Sequence, residues 1–182
     1  MNITRRVAIK NLLIVTAGAA ILPSCFQENT TVKLKNLDIS RAQEEVLASL
    51  TDAIIPKTDT PGARDIAAHL FVLKMIDDCY TKEEQETFTK GFKEFDRFTT
   101  DKFKKSFNEL NALQKKELLT QLEKGEGNPE AVKSFYQSAK SLTILGFTTS
   151  KYYLTEVKNY NIIPGTYQGS VHVTQPNKSV KA

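Results

Sequence analysis

Residues 54–63 of the chain read IIPKTDTPGA and join two segments with helical patterns of apolar residues. Pro56 cannot continue the incoming helix, because its ring clashes with the preceding turn and it lacks an N–H. Pro61 and Gly62 form a turn dipeptide, in which a fixed φ is followed by an unrestricted one. These residues therefore predict a stiff corner between two helices. Loops held on a rigid scaffold are common sites of recognition.

The sequence supports two interpretations of this corner, residues 54–63. In the first, the corner contacts a partner, and the candidate residues are Thr58, Asp59, Thr60, Pro61 and Gly62. In the second, the corner only connects two helices of one domain, and Asp59 caps the second helix.

Apolar residues recur at helical spacing in about six segments after residue 39. Capping boxes predict where three of these helices begin: Ser40 with Gln43, Thr81 with Glu84, and Asn111 with Gln114. No strand pattern of period two persists. The sequence therefore predicts an all-α fold, an irregular array of about six helices with an extended C-terminal tail.

Several residues refine this helical prediction. Gly91 costs about 1 kcal/mol relative to alanine in a helix, which indicates close packing of the third helix against a neighbour. The phenylalanines around it, Phe88, Phe92 and Phe95, indicate core packing rather than a cofactor pocket. We expect a break in this helix near residues 99–100.

Other predictions concern helix ends and single polar residues. Gly146 is predicted as a C-cap, and Asn128 as an N-cap with proline at the first helical position. Cys79 lies on an apolar stripe and is predicted to be a small buried residue. Asp77 and Asp78 are predicted to form a solvated pair at a helix end.

The first 24 residues predict a targeting segment and not part of the fold. The paired Arg5 and Arg6 precede an apolar run of 11 residues, 12–22. This run is shorter than the about 20 residues needed to cross a bilayer, so it fits a signal peptide. The arginine pair resembles a twin-arginine signal, the address for exporting folded proteins, and the alternative is an ordinary secretory signal.

Residues 22–25, Leu-Pro-Ser-Cys, resemble a bacterial lipobox in which Cys25 becomes the lipidated first residue. The alternative is an export signal followed by an incidental cysteine. Residues 25–38 then predict a polar tether, residues 39–170 the helical domain, and residues 171–182 a disordered end.

The end of the domain contains aromatic residues in an extended segment with a Pro-Gly bend. Such residues usually lie on a surface, either that of the domain itself or that of a partner. They add four candidate partner contacts: Tyr160, Pro164, Gly165 and Tyr167.

The composition argues against several classes of function. After the first 24 residues the chain carries 22 basic and 21 acidic residues, which is too balanced for a nucleic-acid-binding protein. No glycine-rich phosphate loop is present, and two cysteines cannot alone hold an iron–sulfur cluster. His69 and His172 are the two histidines, and neither has a carboxylate cluster beside it. We therefore expect no catalytic residue, cofactor site or metal site, with catalysis through His69 as the alternative.

The corner resembles the hallmark of the gluconate 2-dehydrogenase subunit 3 family, and the resemblance covers nearly the whole chain. Later segments fit the same pattern in order: residues 78–80, residues 88–95, Phe107, residues 142–150, Tyr160 and residues 164–169. The resemblance implies a small, non-catalytic subunit of a membrane-associated dehydrogenase.

The resemblance also implies the partners. The catalytic partner would be an FAD-dependent flavoprotein of the glucose–methanol–choline group that oxidises a sugar or polyol, and a cytochrome c subunit often accepts its electrons. In such complexes the small subunit carries the export signal, and the folded flavoprotein leaves the cytoplasm with it. The lipobox at Cys25 adds the expectation of a lipid anchor on the periplasmic side of the cell envelope. The alternative is a stand-alone helical envelope lipoprotein with a ligand-binding or structural role.

Overall fold

The computed structural model describes residues 32–125 and 127–158 and, in the tail, residues 160, 161, 163, 165, 169 and 170. It contains five α-helices: α1 Arg41–Ile54, α2 Ala68–Cys79, α3 Lys82–Phe103, α4 Ala112–Lys124 and α5 Glu130–Thr148. A 3₁₀ turn, Phe107–Glu109, connects α3 to α4, and a π-helical turn, Tyr153–Val157, follows α5. These described residues form no β-strand, so the predicted all-α array of about six helices is confirmed.

All three predicted capping boxes are present. The backbone N–H of Gln114 donates to Asn111 Oδ1 at 2.9 Å at the start of α4. The side chains of Ser40 and Thr81 accept from the residue three positions later in the same way, and each partner side chain accepts in return. Reciprocal bonds of this kind satisfy N–H groups that the first turn of a helix leaves free, which is why these spacings fixed the three helix starts.

A cluster of phenylalanines from α3 and α5 forms the centre of the core. Phe92 stacks on Phe135 with ring centroids 4.8 Å apart, and Phe95 lies 5.3 Å from the same ring. A Cβ atom on Gly91 would lie 2.5 Å from the backbone oxygen of Ala131, so glycine is required for the two helices to approach this closely. The predictions of close packing at Gly91 and of a core role for these phenylalanines are confirmed.

Two predictions about helix ends are wrong, because Thr99 and Gly146, which stand at those expected ends, are buried inside continuous helices. α3 runs without a break through residues 99–100, where the buried Thr99 hydroxyl donates to the Phe95 oxygen at 2.8 Å. Gly146 is not a C-cap but lies inside α5, where a Cβ atom would come within 2.7 Å of Phe71 Cδ1. Glycine at this position therefore admits the Phe71 ring from α2.

Two further predictions about single residues are wrong. Pro129, not Asn128, is the N-cap of α5, because the Asn128 side chain donates to the Gln121 oxygen at the end of α4, at 3.0 Å. Cys79 is a free, exposed cysteine and not a buried one, because it is the last residue of α2.

α2 and α5 run antiparallel to each other. Phe71, at the start of α2, lies against Gly146, near the end of α5, whereas Ile76 and Ser138 line one small cavity further along. The corner that precedes α2 and the π-helical turn that follows α5 are therefore at the same end of this helix pair.

Residues 35–37 contact the opposite end of α2, although they belong to the predicted tether. The backbone N–H groups of Lys35, Asn36 and Leu37 donate to the Asp77 carboxylate at 2.8, 2.7 and 2.9 Å. Leu37 and Ile39 are buried in the core. We call Asp77 and residues 35–37 the N-terminal latch. The targeting segment, Cys25 and residues 171–182 lie outside the described residues, so those predictions stay predictions.

The latch corrects the interpretation of the acidic pair. Asp77 is 1% exposed, whereas Asp78 is exposed as predicted. Burial by itself raises the pKa of Asp77, but the three N–H donors favour the ionised carboxylate and bring its pKa below the ordinary value. The ionised side chain is therefore the form that holds residues 35–37.

We expect Asp77→Asn to lower the free energy of unfolding by about 3 kcal/mol at neutral pH. The side-chain nitrogen of asparagine cannot accept a hydrogen bond, so at least one backbone N–H of residues 35–37 would lose its acceptor. The matched control is Asp78→Asn, which removes an exposed pair with Lys74 and should cost about 0.5 kcal/mol. Both values can be measured by chemical denaturation. Equal losses in the two variants would contradict the latch.

The same pair of variants tests the pH dependence. The folded pKa of Asp77 is lowered, so its contribution to stability is present above the unfolded value of 3.8 and is lost as pH falls through the folded pKa. Asp77→Asn should lack this acid loss, whereas Asp78→Asn should retain it.

Candidate partner-binding site

The corner closes on itself through backbone hydrogen bonds. The N–H of Ala63 donates to the Ile55 oxygen at 2.9 Å and so joins the two ends of the loop. Within the loop, the N–H of Thr58 donates to the Thr60 oxygen at 3.1 Å. Because Ala63 is fully buried, the closed end of the loop is fixed to the core. The predicted stiff corner is thus a closed loop with its tip directed to solvent.

Asp65 stabilises this loop from outside the corner. Its carboxylate accepts the N–H of Gly62 at 2.9 Å and the amine of Lys57 at 3.1 Å. These two donors hold the pKa of Asp65 below its ordinary value, so the carboxylate is ionised at neutral pH. The sequence analysis missed Asp65. The signal was its position three residues after a glycine, where a short acidic side chain can accept a nearby backbone N–H.

Gly62 is required by a close approach of two backbone segments. A Cβ atom at this position would lie 2.5 Å from the Lys57 nitrogen and 2.9 Å from the Ile55 oxygen. No side chain fits there without moving the backbone. Gly62 therefore shapes the loop and is itself buried.

The candidate contacts of the corner divide into two groups. Thr58, Asp59 and Thr60 are exposed, whereas Pro61 is half-buried and Gly62 is buried. The structure thus offers the tip, residues 58–60, to a partner and uses the following two residues to hold that tip in place.

The predicted cap at Asp59 is wrong. α2 begins after Ala67, which has a left-handed φ of 54° and makes no side-chain capping bond. Its N–H donates instead to the Arg64 oxygen at 3.0 Å. The tight turn before α2 replaces the expected cap and leaves the Asp59 side chain exposed.

The candidate contacts in the tail are only partly described. Tyr160 is 58% exposed, and its N–H donates to the Leu154 oxygen at 2.8 Å. Gly165 is exposed, and Pro164 and Tyr167 lie outside the described residues. Their role in partner binding stays a prediction.

The same end of the fold also exposes apolar side chains. Ile144 and Leu145, near the end of α5, are 43% and 42% exposed, and Val157 in the π-helical turn is 53% exposed. We call these three residues and Tyr160 the terminal patch. Large exposed apolar patches are typical of interaction sites.

His69 is a boundary residue of α2. Its Nε2 lies 4.0 Å from Glu44 Oε1, and its buried Nδ1 has no hydrogen-bond partner among the described residues. Burial lowers the pKa of His69, against the opposing effect of Glu44, so the imidazole is neutral at pH 7. Within the part of the chain that the structure covers, no three His, Cys, Asp or Glu residues are placed to hold a metal ion. None of the described helices is long and apolar enough to span a membrane.

We expect Gly62→Ala to lower the free energy of unfolding by about 2 kcal/mol, because its Cβ atom would overlap backbone atoms of the loop. The control is Gly165→Ala, since no heavy atom lies within 4 Å of the added Cβ at that position. Thermal unfolding of the two variants measures the difference. A Gly62 variant as stable as the control would show that the loop accommodates the added Cβ atom without loss of stability.

Comparison with known proteins identifies the family. The family described as gluconate 2-dehydrogenase subunit 3 matches residues 41–165, which is most of the 182-residue chain and includes the corner. Neither the curated proteins nor the solved structures gave a match. The family name implies association with the other subunits of a gluconate dehydrogenase complex. The chain therefore belongs to the gluconate 2-dehydrogenase subunit 3 family and is an accessory subunit of a dehydrogenase complex.

Proposed function

We propose that this chain is the non-catalytic small subunit that escorts and anchors an FAD-dependent sugar or polyol dehydrogenase of the glucose–methanol–choline type. The corner is the observation that carries the proposal. Its tip, residues 58–60, is exposed on a loop that Gly62, Ala63 and Asp65 hold closed. A loop that is already ordered loses little conformational entropy on binding, so its polar tip is suited to recognise a protein surface.

The terminal patch supports the same proposal. Its apolar side chains lie at the end of the α2–α5 pair that also carries the corner, so a partner can cover both at once. Protein interfaces commonly combine an apolar centre with a polar rim. In this arrangement the patch supplies the apolar area and residues 58–60 supply polar contacts at its margin.

The escort role follows from the division of labour between the two chains. Arg5 and Arg6 supply a twin-arginine signal, and this route exports proteins that are already folded. The flavoprotein binds its FAD in the cytoplasm and crosses the membrane as the passenger of this chain. FAD belongs to that partner, this chain binds no cofactor, and a cytochrome c subunit accepts the electrons on the periplasmic side.

Cys25 supplies the lipid anchor, and the latch limits how far the domain can stand from it. Ten peptide units separate Cys25 from Lys35, which at full extension reach about 35 Å. The latch holds Lys35 at the C-terminal end of α2, whereas the corner precedes the N-terminal end. The anchored complex therefore has the latch on its membrane-proximal side and the corner directed towards the partner.

Co-purification of the tagged chain from its source cells tests the escort proposal. We expect a flavin-containing oxidoreductase to co-purify with the wild type, and Asp59→Lys to weaken this association about tenfold by reversing an exposed charge at the tip. Asp78→Lys, an exposed acid at the other end of α2, is the matched control and should bind as the wild type does. Absence of any flavoprotein from the wild-type sample would reject the proposal and favour a stand-alone lipoprotein.

Detergent phase partition tests the anchor. The wild-type chain should enter the detergent-rich phase, whereas Cys25→Ser should remain in the aqueous phase, because the thiol that carries the acyl chains is lost. Cys79→Ser, which changes the other cysteine, is the control and should partition as the wild type does. Equal partition of the Cys25 and Cys79 variants would contradict lipidation at Cys25.

A further inference from the structure

A groove of about 640 Å³ lies between the C-terminal part of α1, the outer face of α4 and α5. Along α4 it extends from Ala112 to Glu123, which is about 16 Å of helix. Its apolar lining includes Ile54 and Leu119, both of which are half-buried. Pro56 lines it as well, so the groove is continuous with the corner.

The groove contains a half-buried cation, the amine of Lys115. Lys115 Nζ donates to Ser49 Oγ at 2.8 Å and lies 5.4 Å from the centroid of the Phe107 ring. Among the residues described, it forms no ion pair. Burial lowers the pKa of Lys115; Asp52, which also lines the groove, opposes this effect, and Arg64 adds to it.

The other charged residues that line the groove form no ion pair with Lys115 among the described residues. Glu123 accepts hydrogen bonds from both Tyr136 and Lys140, so its carboxylate is already shared between two donors. Burial and the hydrogen bond to Glu123 raise the pKa of Tyr136, whereas the bonds from Lys140 and Tyr136 lower the pKa of Glu123 against the effect of its burial. Lys116 adds a further positive charge along the same wall. The lining contains three lysines and two carboxylates, Asp52 and Glu123, so the free groove combines apolar side chains with one net positive charge.

We propose that this groove binds an extended segment of the catalytic subunit that places apolar side chains against Leu119 and Ile54 and a carboxylate at Lys115. The proposal rests on the proposed function. A length of about 16 Å accommodates about five residues of extended chain. The carboxylate is assigned because a partly desolvated ammonium group gains most from an opposite charge at close range. We assign the groove to a protein partner because the groove continues into the corner, so a partner bound in the groove can also contact residues 58–60.

A binding role for Lys115 differs from a structural role in its effect on stability. Lys115→Met removes the desolvation cost of a half-buried charge, and the methionine still packs on Phe107, but the variant also loses the hydrogen bond to Ser49. These effects oppose each other, so the stability of this variant should stay close to that of the wild type. Its affinity for the catalytic subunit should nevertheless fall, because the carboxylate of the partner would lose its counter-ion.

The experiment measures the affinity of the full chain for the purified catalytic subunit, together with thermal unfolding of each variant. We expect Lys115→Met to bind about tenfold more weakly without loss of stability, and Lys115→Arg to bind within about threefold of the wild type, because it keeps the charge. Lys133→Met is the matched control, a half-buried lysine outside the groove, and should leave the affinity unchanged.

The outcomes separate this proposal from the proposed function. If the wild type binds the flavoprotein and Lys115→Met binds equally well, the groove is not the docking site, although the subunit role stands. If Lys115→Met loses affinity and stability together, Lys115 is structural and the proposal is overturned. Self-association of the isolated chain that Lys115→Met abolishes would assign the groove to a second copy, which also overturns it. If the wild type binds no flavoprotein, both proposals fail.

Discussion

The close approach of α3 and α5 is the constraint on which the rest of the structure depends. Gly91 allows it, because any side chain there would overlap the backbone of α5. The approach places the Phe135 ring among three phenylalanines of α3, and this cluster forms the centre of the core. A second glycine, Gly146, then admits Phe71 of α2 against the other end of α5. The position of α2, and with it the end of the corner, follows from these two contacts.

α2 connects the two parts of the molecule to which we assign different tasks. At its C-terminal end Asp77 holds residues 35–37, the chain segment that leads from the proposed lipid anchor. At its N-terminal end the tight turn at Ala67 leads back into the corner. A helix is a stiff spacer, so this arrangement keeps the latch and the corner at a fixed separation.

The corner illustrates how far reasoning from local sequence reaches. Pro56, Pro61 and Gly62 predicted a stiff loop. Proline restricts φ and glycine permits φ values that other residues avoid, whatever their surroundings. One of the bonds that hold the loop closed is accepted by Asp65, which lies outside residues 54–63. The loop is also held by Ala63, which is buried in the core. Asp59, which one of the two interpretations made a helix cap, is exposed instead, because α2 begins only after Ala67.

The groove and the latch could not be predicted from the sequence. Lys115 and Ser49 are 66 positions apart, and Asp77 accepts from Leu37 across 40 positions. In the sequence Asp77 was one of two adjacent acids with nothing to distinguish them. Only the packing of the N-terminal segment on α2 buries one and leaves the other in water.

The sequence by itself determined the all-α class, three of the helix starts, the core phenylalanines and the family, because capping, helical periodicity and the corner motif are all local signals. The tertiary structure alone decided which helices continue past a predicted end, which of two acids is buried and which lysine is half-buried in the groove. These outcomes depend on long-range packing, in which a residue distant in the chain supplies or withholds the neighbouring atoms.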